Sequence, residues 1–464
     1  MSKKRNSFMK LYWFDHAVFY HIYPLGLIGA PQKNDFKGSV SQKFEEIYPW
    51  LDHIQLLGFN ALYLGPIFES SSHGYDTVDY YQIDRRLGDH QSMAQFAKEV
   101  HRRGICLVLD GVFNHVGRDF WAFKDLLAYG EKSAYRDWFS GVRFDQRSDF
   151  GDPFSYDGWQ GHQSLAKLNL GHPHVRSHLF DAIKLWIDKF EIDGLRLDAA
   201  DSIDFDFLRD LRSFTKSIGS DFWLMGEVVH GDYRQWANPD TLDSVTNYQS
   251  YKGLYSSLLD GNYFEIAHEL ERQFGSNGIY CDMKLFSFVD NHDVDRVASK
   301  LKNPTLLYPL YLLMFTMPGI PSVYYGSEWG IEGVKEPWSD APLRPYLSLD
   351  EAKSNAPEPD LAKVIKKLNS IRTSSEALAS GSYEQLLVGD RQFAFRRRTA
   401  DETIIVALNS APQPAEIELD VGYVTNEWID VLNGGNIIAG SDGKLRLQLP
   451  STWGVILTNK QNQD

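Results

Sequence analysis

Residues 286–293 read F-S-F-V-D-N-H-D, an apolar run that ends in two carboxylates, an amide and an imidazole. The apolar part suits the interior of a sheet, whereas residues 290–293 are costly to bury without polar partners. Two explanations are open. Either a strand runs into a solvent-exposed turn, for which Asp and Asn are typical residues, or something polar binds at the end of the strand.

The same pattern recurs elsewhere in the chain. Three other apolar runs also end in polar side chains. The run C-L-V-L-D-G-V-F-N-H contains Asp110, Asn114 and His115. The run G-L-R-L-D-A contains Arg196 and Asp198, and the run F-W-L-M-G-E-V contains Glu227. Four apolar runs with this ending favour one shared binding site over four unrelated turns.

Helical patterns separate most of the strand-like runs. The runs begin at Ala17, Ala61, Cys106, Gly194, Phe222, Ser244, Leu285 and Pro321. Continuously apolar strands that alternate with amphipathic helices are typical of a parallel sheet covered by helices, and eight such units predict a (β/α)8 TIM barrel. Since the active site of such a barrel lies at the carboxyl ends of its strands, we expect the four polar endings to converge.

Two segments depart from this alternation. Residues 116–170 are rich in Gly, Asp and Ser, and they are too long for a simple connection, which predicts a subdomain inserted after strand three. In residues 380–464 short alternating strands replace the helical pattern, which predicts a C-terminal all-β domain, an antiparallel β-sandwich. The barrel, with the insert inside it, is then expected to span residues 1–379.

Composition excludes several classes of partner. The chain has 464 residues, 43% of them hydrophobic, and a formal net charge of −15, which predicts a soluble globular protein and argues against a nucleic-acid partner. Two cysteines do not make a disulfide framework. No run approaches the ~18 apolar residues of a membrane helix, and the basic start does not continue as an export signal. We therefore expect a cytoplasmic enzyme or binding protein with no membrane partner.

Several carboxyl groups at one barrel mouth suit a particular chemistry. In glycoside hydrolysis two carboxyl groups flank the bond, so that one attacks the anomeric carbon and the other protonates the leaving oxygen. A third carboxylate can stabilise an oxocarbenium-like transition state electrostatically.

The motifs resemble those of a known family. D-G-V-F-N-H, G-L-R-L-D-A-A, G-E-V-V and F-V-D-N-H-D are similar, in order, to the four signature regions of the α-amylase family, glycoside hydrolase family 13. G-F-N-A-L-Y-L-G-P-I-F and G-I-P-S-V-Y-Y-G-S-E match two further regions, so the resemblance covers essentially the whole chain. It implies that Asp198 is the nucleophile, Glu227 the general acid/base and Asp293 the transition-state stabiliser.

The resemblance also implies substrate-binding roles. Arg196 would hold the nucleophile ionised, although a purely structural ion pair is the alternative. His115 and His292 would hydrogen-bond sugar hydroxyls, or they are satisfied core histidines. Tyr75 of H-G-Y-D would stack on the sugar ring, or it only packs.

Two residues of the first signature, D-G-V-F-N-H, are expected to support the site instead of doing chemistry. These are Asp110 and Asn114. In many relatives this Asn also binds calcium, but no oxygen-rich loop in the sequence completes a cage. The chemistry itself requires no cofactor, and the question of structural calcium stays open.

The insert narrows the resemblance. D-L-L-A-Y-G-E-K-S-A-Y-R-D-W-F and L-A-K-L-N resemble the cyclomaltodextrinase, neopullulanase and maltogenic amylase group, with Leu165 and Ala166 where Met-Pro is usual. This implies hydrolysis of α-1,4 bonds in short or cyclic maltooligosaccharides, with α-1,6 bonds undecided. The N-terminal domain of that group is not expected, because the first strand begins near Ala17. The oligomeric state is not predictable.

One more prediction concerns pocket depth. In exo-acting relatives an Asp after the stacking Tyr pairs with an Arg from the loop after strand eight, and the pair closes the pocket. Asp76 and Arg344 occupy these positions, which predicts a bidentate ion pair between them. The alternative is that Arg344 caps a surface turn.

Three functions remain in competition. Hydrolysis is the leading one. The same covalent intermediate can be intercepted by a sugar, which makes a glycosyltransferase or isomerase the second. The third is a catalytically silent sugar-binding barrel, since a fold does not fix a function. The intact Asp198, Glu227 and Asp293 argue against the silent barrel.

Overall fold

A computed structural model describes residues 12–422, 427–438 and 442–460. Residues 1–11 of the predicted barrel range 1–379 lie outside the described residues, as do 423–426, 439–441 and 461–464 of the predicted range 380–464. The chain is built from an eight-stranded parallel sheet, an insertion after its third strand, and a C-terminal group of antiparallel strands.

The parallel sheet closes into a barrel. Its strands are β1 (Phe19–Ile22), β2 (Ala61–Leu64), β3 (Cys106–Gly111), β4 (Gly194–Leu197), β5 (Trp223–Gly226), β6 (Ser244–Val245), β7 (Phe286–Phe288) and β8 (Ile320–Tyr324). Each pairs with the next in chain order except β6 and β7, and β8 pairs with β1. A single bridge between Thr246 and Phe286 joins β6 to β7 and completes the ring. The predicted (β/α)8 barrel is confirmed.

Helices cover the outside of the barrel. The longer ones are Tyr48–Leu57, His90–Arg102, Pro173–Phe190, Phe205–Ile218, Tyr248–Asp260, Phe264–Phe274, Leu307–Thr316 and Leu361–Thr373, and the shorter ones are Pro24–Leu27, Val297–Lys300, Leu349–Ser354 and Glu376–Ser380. Helix His90–Arg102 illustrates their construction. Asp89 caps it by accepting the N–H of Ser92 at 2.8 Å, and Phe96 and Val100 are fully buried on the inner face. In the described residues, no helix has the length and apolarity needed to span a membrane.

Aromatic rings fill the amino-terminal half of the barrel interior. Phe19 on β1 stacks against Trp223 on β5 with ring centroids 5.0 Å apart, and it meets Phe286 on β7 edge-on at 5.3 Å. All three rings are almost completely shielded from solvent. Because these rings close the amino-terminal end of the barrel, its open end is the one formed by the carboxyl ends of the strands.

The segment after β3 forms a small subdomain, as predicted. Its helix is Trp121–Tyr129, and its antiparallel sheet places His162–Lys167 between His115–Gly117 and Gly158–Trp159. A hairpin made of Phe68–Ser70 and Thr77–Ile83 follows β2, and the sequence patterns did not predict it. Its connecting turn carries Tyr75 and Asp76.

The C-terminal part is all-β, as predicted. Its strands are β9 (Ser382–Val388), β10 (Gln392–Arg398), β11 (Thr403–Asn409), β12 (Ala415–Asp420), β13 (Glu427–Asp430), β14 (Asn436–Ile438), β15 (Lys444–Leu449) and β16 (Trp453–Thr458). Six of them form one antiparallel sheet in the order β9-β10-β11-β16-β13-β14, and β12 pairs with β15. The two sheets share a core around Ala407, Trp428 and Leu447.

Two buried arginines join these strands to the barrel. Arg397 on β10 donates to the carbonyl oxygens of Thr316 at 3.0 Å and Gly381 at 2.8 Å. Arg372 donates to the carbonyl of Phe315 at 2.8 Å. Burial and the neighbouring Arg372 lower the pKa of Arg397 to about 9. Both side chains thus satisfy main-chain carbonyls just before β8, at the amino-terminal end of the barrel.

Replacing Arg397 by Met should destabilise the protein, because the carbonyls of Thr316 and Gly381 would stay buried without donors. We expect the free energy of unfolding, measured by urea titration, to fall by about 2–4 kcal/mol. Arg398→Ala is the matched control, since the adjacent side chain is exposed. Equal stability of Arg397→Met and the control would contradict a structural role for Arg397.

Candidate active site

Arg196 lies at the centre of three carboxylates at the barrel mouth. Its Nη1 donates to Asp110 Oδ1 at 3.0 Å and to Asp198 Oδ1 at 2.9 Å, and its Nη2 lies 2.8 Å from Glu227 Oε2. Arg196 as a whole residue is only 2% exposed. One buried positive charge therefore contacts three acidic groups. It cannot neutralise all three at once, so their simultaneous ionisation is costly in free energy.

Strand geometry brings these groups together. Arg196 and Asp198 are two residues apart, so both point to the same side of the chain. The strand register places Arg196 beside Asp110 on β3 and beside Met225 on β5. Glu227 follows Met225 by two residues and therefore lies on the same side of the chain. The predicted convergence of the strand endings from β3, β4 and β5 is therefore present.

The backbone around the acids is tightly constrained. Gly226 precedes Glu227, and a Cβ at that position would lie 2.5 Å from a methyl carbon of Leu242. Ala199 follows Asp198 with φ of 45°, a left-handed conformation that is unfavourable for a residue with a side chain. This turn directs the Ala199 N–H towards Glu227 Oε2, at 3.4 Å.

Glu227 has a second polar neighbour that the sequence did not reveal. The hydroxyl of Tyr248 donates to Glu227 Oε1 at 3.2 Å, and it accepts a hydrogen bond from the Asn291 amide at the same distance. Burial raises the pKa of Glu227, Arg196 opposes this shift, and the charge of Asp293 adds to it. The only sequence signal was that Asn291 lies inside F-V-D-N-H-D; Tyr248 had none.

Asp293 is held as an anion. Burial opposes its ionisation, but His292 and Arg344 outweigh burial and keep the pKa of Asp293 well below its usual range. His292 Nε2 lies 3.0 Å from Asp293 Oδ2, and Arg344 Nη2 lies 2.9 Å from Asp293 Oδ1. The carboxyl remains one-third exposed, so it faces the open part of the site.

Two tyrosines orient Asp110. The Tyr63 hydroxyl donates to Asp110 Oδ2 at 2.7 Å, and the Tyr75 hydroxyl donates to the same oxygen at 3.0 Å. Tyr75 also stacks on His292, with ring centroids 5.4 Å apart and planes 8° apart. The structure thus brings Tyr75 and His292 into the site together, and it adds Tyr63, which in the sequence resembles an ordinary strand aromatic. Stacking of Tyr75 on a sugar stays a prediction.

His115 is neutral and has one nitrogen available. Burial lowers the pKa of His115 to about 3. Its Nε2 lies 3.9 Å from Asp198 Oδ2 and, within the part of the chain that the structure describes, has no hydrogen-bond partner. A buried polar atom without a partner beside the predicted nucleophile is consistent with the predicted contact to a sugar hydroxyl.

The expected ion pair between Asp76 and Arg344 is not formed. Arg344 pairs with Asp293 and with Asp340, the latter at 3.0 Å, and its Nε donates to the His292 carbonyl. Asp76 instead accepts from the Ser72 hydroxyl. The prediction was wrong because two other carboxylates lie nearer to the guanidinium. The surface-cap alternative also fails, since the Arg344 side chain is only 10% exposed.

Asn114 is the residue for which the resemblance raises the question of calcium. The amide oxygen of Asn114 is buried and, in the described chain, has no hydrogen-bond partner, while its nitrogen lies 3.2 Å from His115 Nδ1. The described residues contain no group of three or more His, Cys, Asp or Glu side chains that could hold a metal ion. Calcium binding therefore stays a prediction from resemblance, and no catalytic step uses it.

A (β/α)8 barrel that gathers three acidic side chains around one arginine at the carboxyl ends of its strands has the site of a glycoside hydrolase. The profile of the α-amylase catalytic domain matches residues 35–373, and that of the maltogenic amylase C-terminal domain matches 383–454. The chain belongs to the α-amylase family of glycoside hydrolases.

Individual relatives agree with this assignment. A cyclomaltodextrinase from Bacillus sp. is 32% identical, over 86% of this chain and 73% of the relative. An intracellular maltogenic amylase from Bacillus subtilis strain 168 is 29% identical, over 86% and 69%. The solved structure of a cyclic α-maltosyl-(1→6)-maltose hydrolase from Arthrobacter globiformis has a TM-score of 0.80 at 26% identity, with 97% of this chain and all of that chain covered.

Tyr248→Phe should change the pH profile of activity. The hydroxyl donates to the ionised form of Glu227, so its loss raises the pKa of that carboxyl and keeps it protonated to higher pH. The basic limb of the pH profile of kcat/KM should therefore shift to higher pH. We also expect kcat at neutral pH to fall about 10-fold.

Tyr255→Phe provides the matched control, because Tyr255 lies on the same helix and contacts rings instead of the acids. A basic limb that does not move in Tyr248→Phe would contradict the contact between Tyr248 and the proton-carrying group.

Proposed function

We propose that the protein is a retaining α-glucan hydrolase that cleaves α-1,4 bonds, with α-1,6 bonds as a second candidate linkage, in short or cyclic maltooligosaccharides. The observation that carries the proposal is that one guanidinium, Arg196, contacts both Asp198 and Glu227. Retention requires two carboxyl groups close together on either side of the bond, one as nucleophile and one as acid.

The first half of the reaction forms a glycosyl-enzyme ester. Protonated Glu227 gives its proton to the glycosidic oxygen as the bond to the anomeric carbon breaks, and the leaving sugar departs as an alcohol. An Asp198 carboxylate oxygen attacks the anomeric carbon and forms the ester. In the second half, Glu227 removes a proton from water, the water oxygen attacks the same carbon, and Asp198 leaves as a carboxylate.

The surroundings of the two acids determine how they hold protons. Burial raises the pKa of Asp198 and of Glu227, and Arg196 opposes both shifts, which favours one proton shared by the pair. Esterification removes the charge of Asp198. Arg196 is then less neutralised, so the pKa of Glu227 falls and the group becomes a base when a base is needed.

Asp293 is suited to stabilise the transition state. It stays ionised beside His292 and Arg344, and its carboxyl is partly exposed towards the site. A fixed negative charge there favours the positive charge that develops on the sugar ring. In the proposal Tyr75, His115 and His292 bind the sugar beside the broken bond, and Asp76 and Arg344 bind the terminal hydroxyls of the same sugar. Asp110 positions Arg196.

The relatives support the substrate class. The names of two of them refer to cyclic maltodextrins or an α-(1→6) link, and a third is called maltogenic. The B. subtilis relative is called intracellular, and we accordingly propose a cytoplasmic location. Water and sugar compete for the same covalent intermediate, so transfer to a sugar is the alternative activity.

Products from maltotriose, a cyclodextrin, pullulan and isomaltose test the function directly. We expect glucose and maltose from maltotriose, ring opening of the cyclodextrin, and no release by Asp198→Asn, because a neutral amide is a poor nucleophile. Oligomers longer than the substrate at high maltose concentration would favour transfer. A folded wild type that acts on none of the four would overturn the proposal.

The Glu227→Gln variant should separate the proposed role of Glu227 as the acid from that of Asp198 as the nucleophile. The amide cannot protonate a leaving sugar, so activity on maltotriose should fall at least ~100-fold. A glucosyl fluoride needs no such proton, and its fluorinated analogue should label the peptide that contains G-L-R-L-D-A, detected by mass spectrometry. A label on Asp110 or Asp293, or an equal loss on the fluoride, would contradict the assignment.

A further inference from the structure

Trp338 differs from every other tryptophan of this chain. Of 12 tryptophans it is the most exposed, at 98%, whereas the next most exposed, Trp121, is 38% exposed. Within the described residues no ring or cation packs against its indole. A large apolar ring held wholly in water buries no surface in the fold, so its faces are available to a ligand.

The turn that carries Trp338 is firmly built. Glu336 and Ser339 exchange two main-chain hydrogen bonds, of 3.1 and 3.3 Å, with Pro337 and Trp338 at the tip. Pro337 restricts the backbone at the first tip position, as is favourable in such turns. The Lys335 ammonium lies 3.0 Å from Asp340 Oδ1 and ties the two sides of the turn together. These contacts hold the backbone of the turn in one shape.

Both ends of this turn are attached to the active site. The Lys335 N–H donates to Asp295 at 2.7 Å, and Asp295 is two residues from Asp293 in the same loop. On the other side, Asp340 binds Arg344, which binds Asp293. The turn at 335–340 is thus bonded to the loop and the arginine that hold the carboxylate proposed to stabilise the transition state.

We propose that Trp338 binds a glucose ring of the substrate outside the catalytic pocket, by stacking of its indole on the apolar C–H face of the sugar. This inference rests on the proposed function and names where a longer chain is held. A sugar is the occupant that the position favours, because the turn is continuous with the Asp340–Arg344–Asp293 contacts of the site. The ring offers an apolar face and an N–H, which matches a sugar with apolar faces and hydroxyl edges.

The test compares Trp338→Ala with wild type on maltotriose and maltoheptaose. The loss of kcat/KM should grow with chain length and reach about 10-fold on maltoheptaose, as expected for one stacked ring. Trp338→Tyr should restore most of it. Phe264→Ala is the matched control, because Phe264 is also an exposed aromatic residue, at 52%. It lies away from the active site, since the N–H of the adjacent Tyr263 donates a hydrogen bond to the carbonyl of Gly389 in the C-terminal part.

Three outcomes would overturn the inference. The first is a Trp338→Ala variant that equals Phe264→Ala on maltoheptaose. The second is an equal loss on both substrates, which would mean that the turn shapes the catalytic pocket. The third is a changed sedimentation coefficient, which would make Trp338 a contact between copies of the chain.

Calorimetric binding of maltoheptaose separates this inference from the proposed function. It is measured with Glu227→Gln and with the Glu227→Gln/Trp338→Ala double variant. Weaker binding by the double variant supports the role of Trp338 even if wild type hydrolyses nothing, in which case only the proposed function fails. Equal binding by the two overturns the role of Trp338 whatever the activity.

Discussion

The contact of Arg196 with three carboxylates is the interaction on which the active site depends. Without it, Asp110, Asp198 and Glu227 would be acidic groups crowded at one barrel mouth. Burial already raises the pKa of Asp198 and of Glu227, and Arg196 opposes both shifts. With it, one of them can remain an anion while another keeps its proton. A nucleophile and an acid can therefore coexist a few ångströms apart in the same low-dielectric site.

The fold is arranged to make that contact possible. Aromatic rings such as Phe19 and Trp223 fill the far end of the barrel, so the polar groups gather only at the carboxyl ends of the strands. The close approach at Gly226 and the left-handed Ala199 then fix the chain on either side of the acids. Local strain of this kind is held in place by the rest of the barrel and is common where chemistry requires an exact geometry.

The sequence predicted the barrel and the convergence of Asp110, Arg196, Asp198 and Glu227, because strand period and strand ends are local properties. It did not predict Tyr63 or Tyr248 in the site, since an aromatic in an apolar run looks the same whether its hydroxyl meets an acid or not. The Asp76 and Arg344 pairing failed for a related reason. Arg344 could in principle pair with Asp76, Asp293 or Asp340. Only the three-dimensional arrangement shows that it pairs with Asp293 and Asp340.

The balance of charge at the barrel mouth suggests why this site suits a cationic transition state. The contacts join five carboxyl groups, Asp110, Asp198, Glu227, Asp293 and Asp340, to two arginines, Arg196 and Arg344. Lys335 adds a third positive charge, because it pairs with Asp340 at 3.0 Å. With one shared proton, one negative charge then remains in excess, without counting His292. A neutral sugar gains little from that excess, whereas a ring that becomes positive gains much more, and this difference between ground state and transition state is what accelerates a reaction. The same excess repels anionic ligands, so the site selects uncharged sugars before any hydroxyl is recognised.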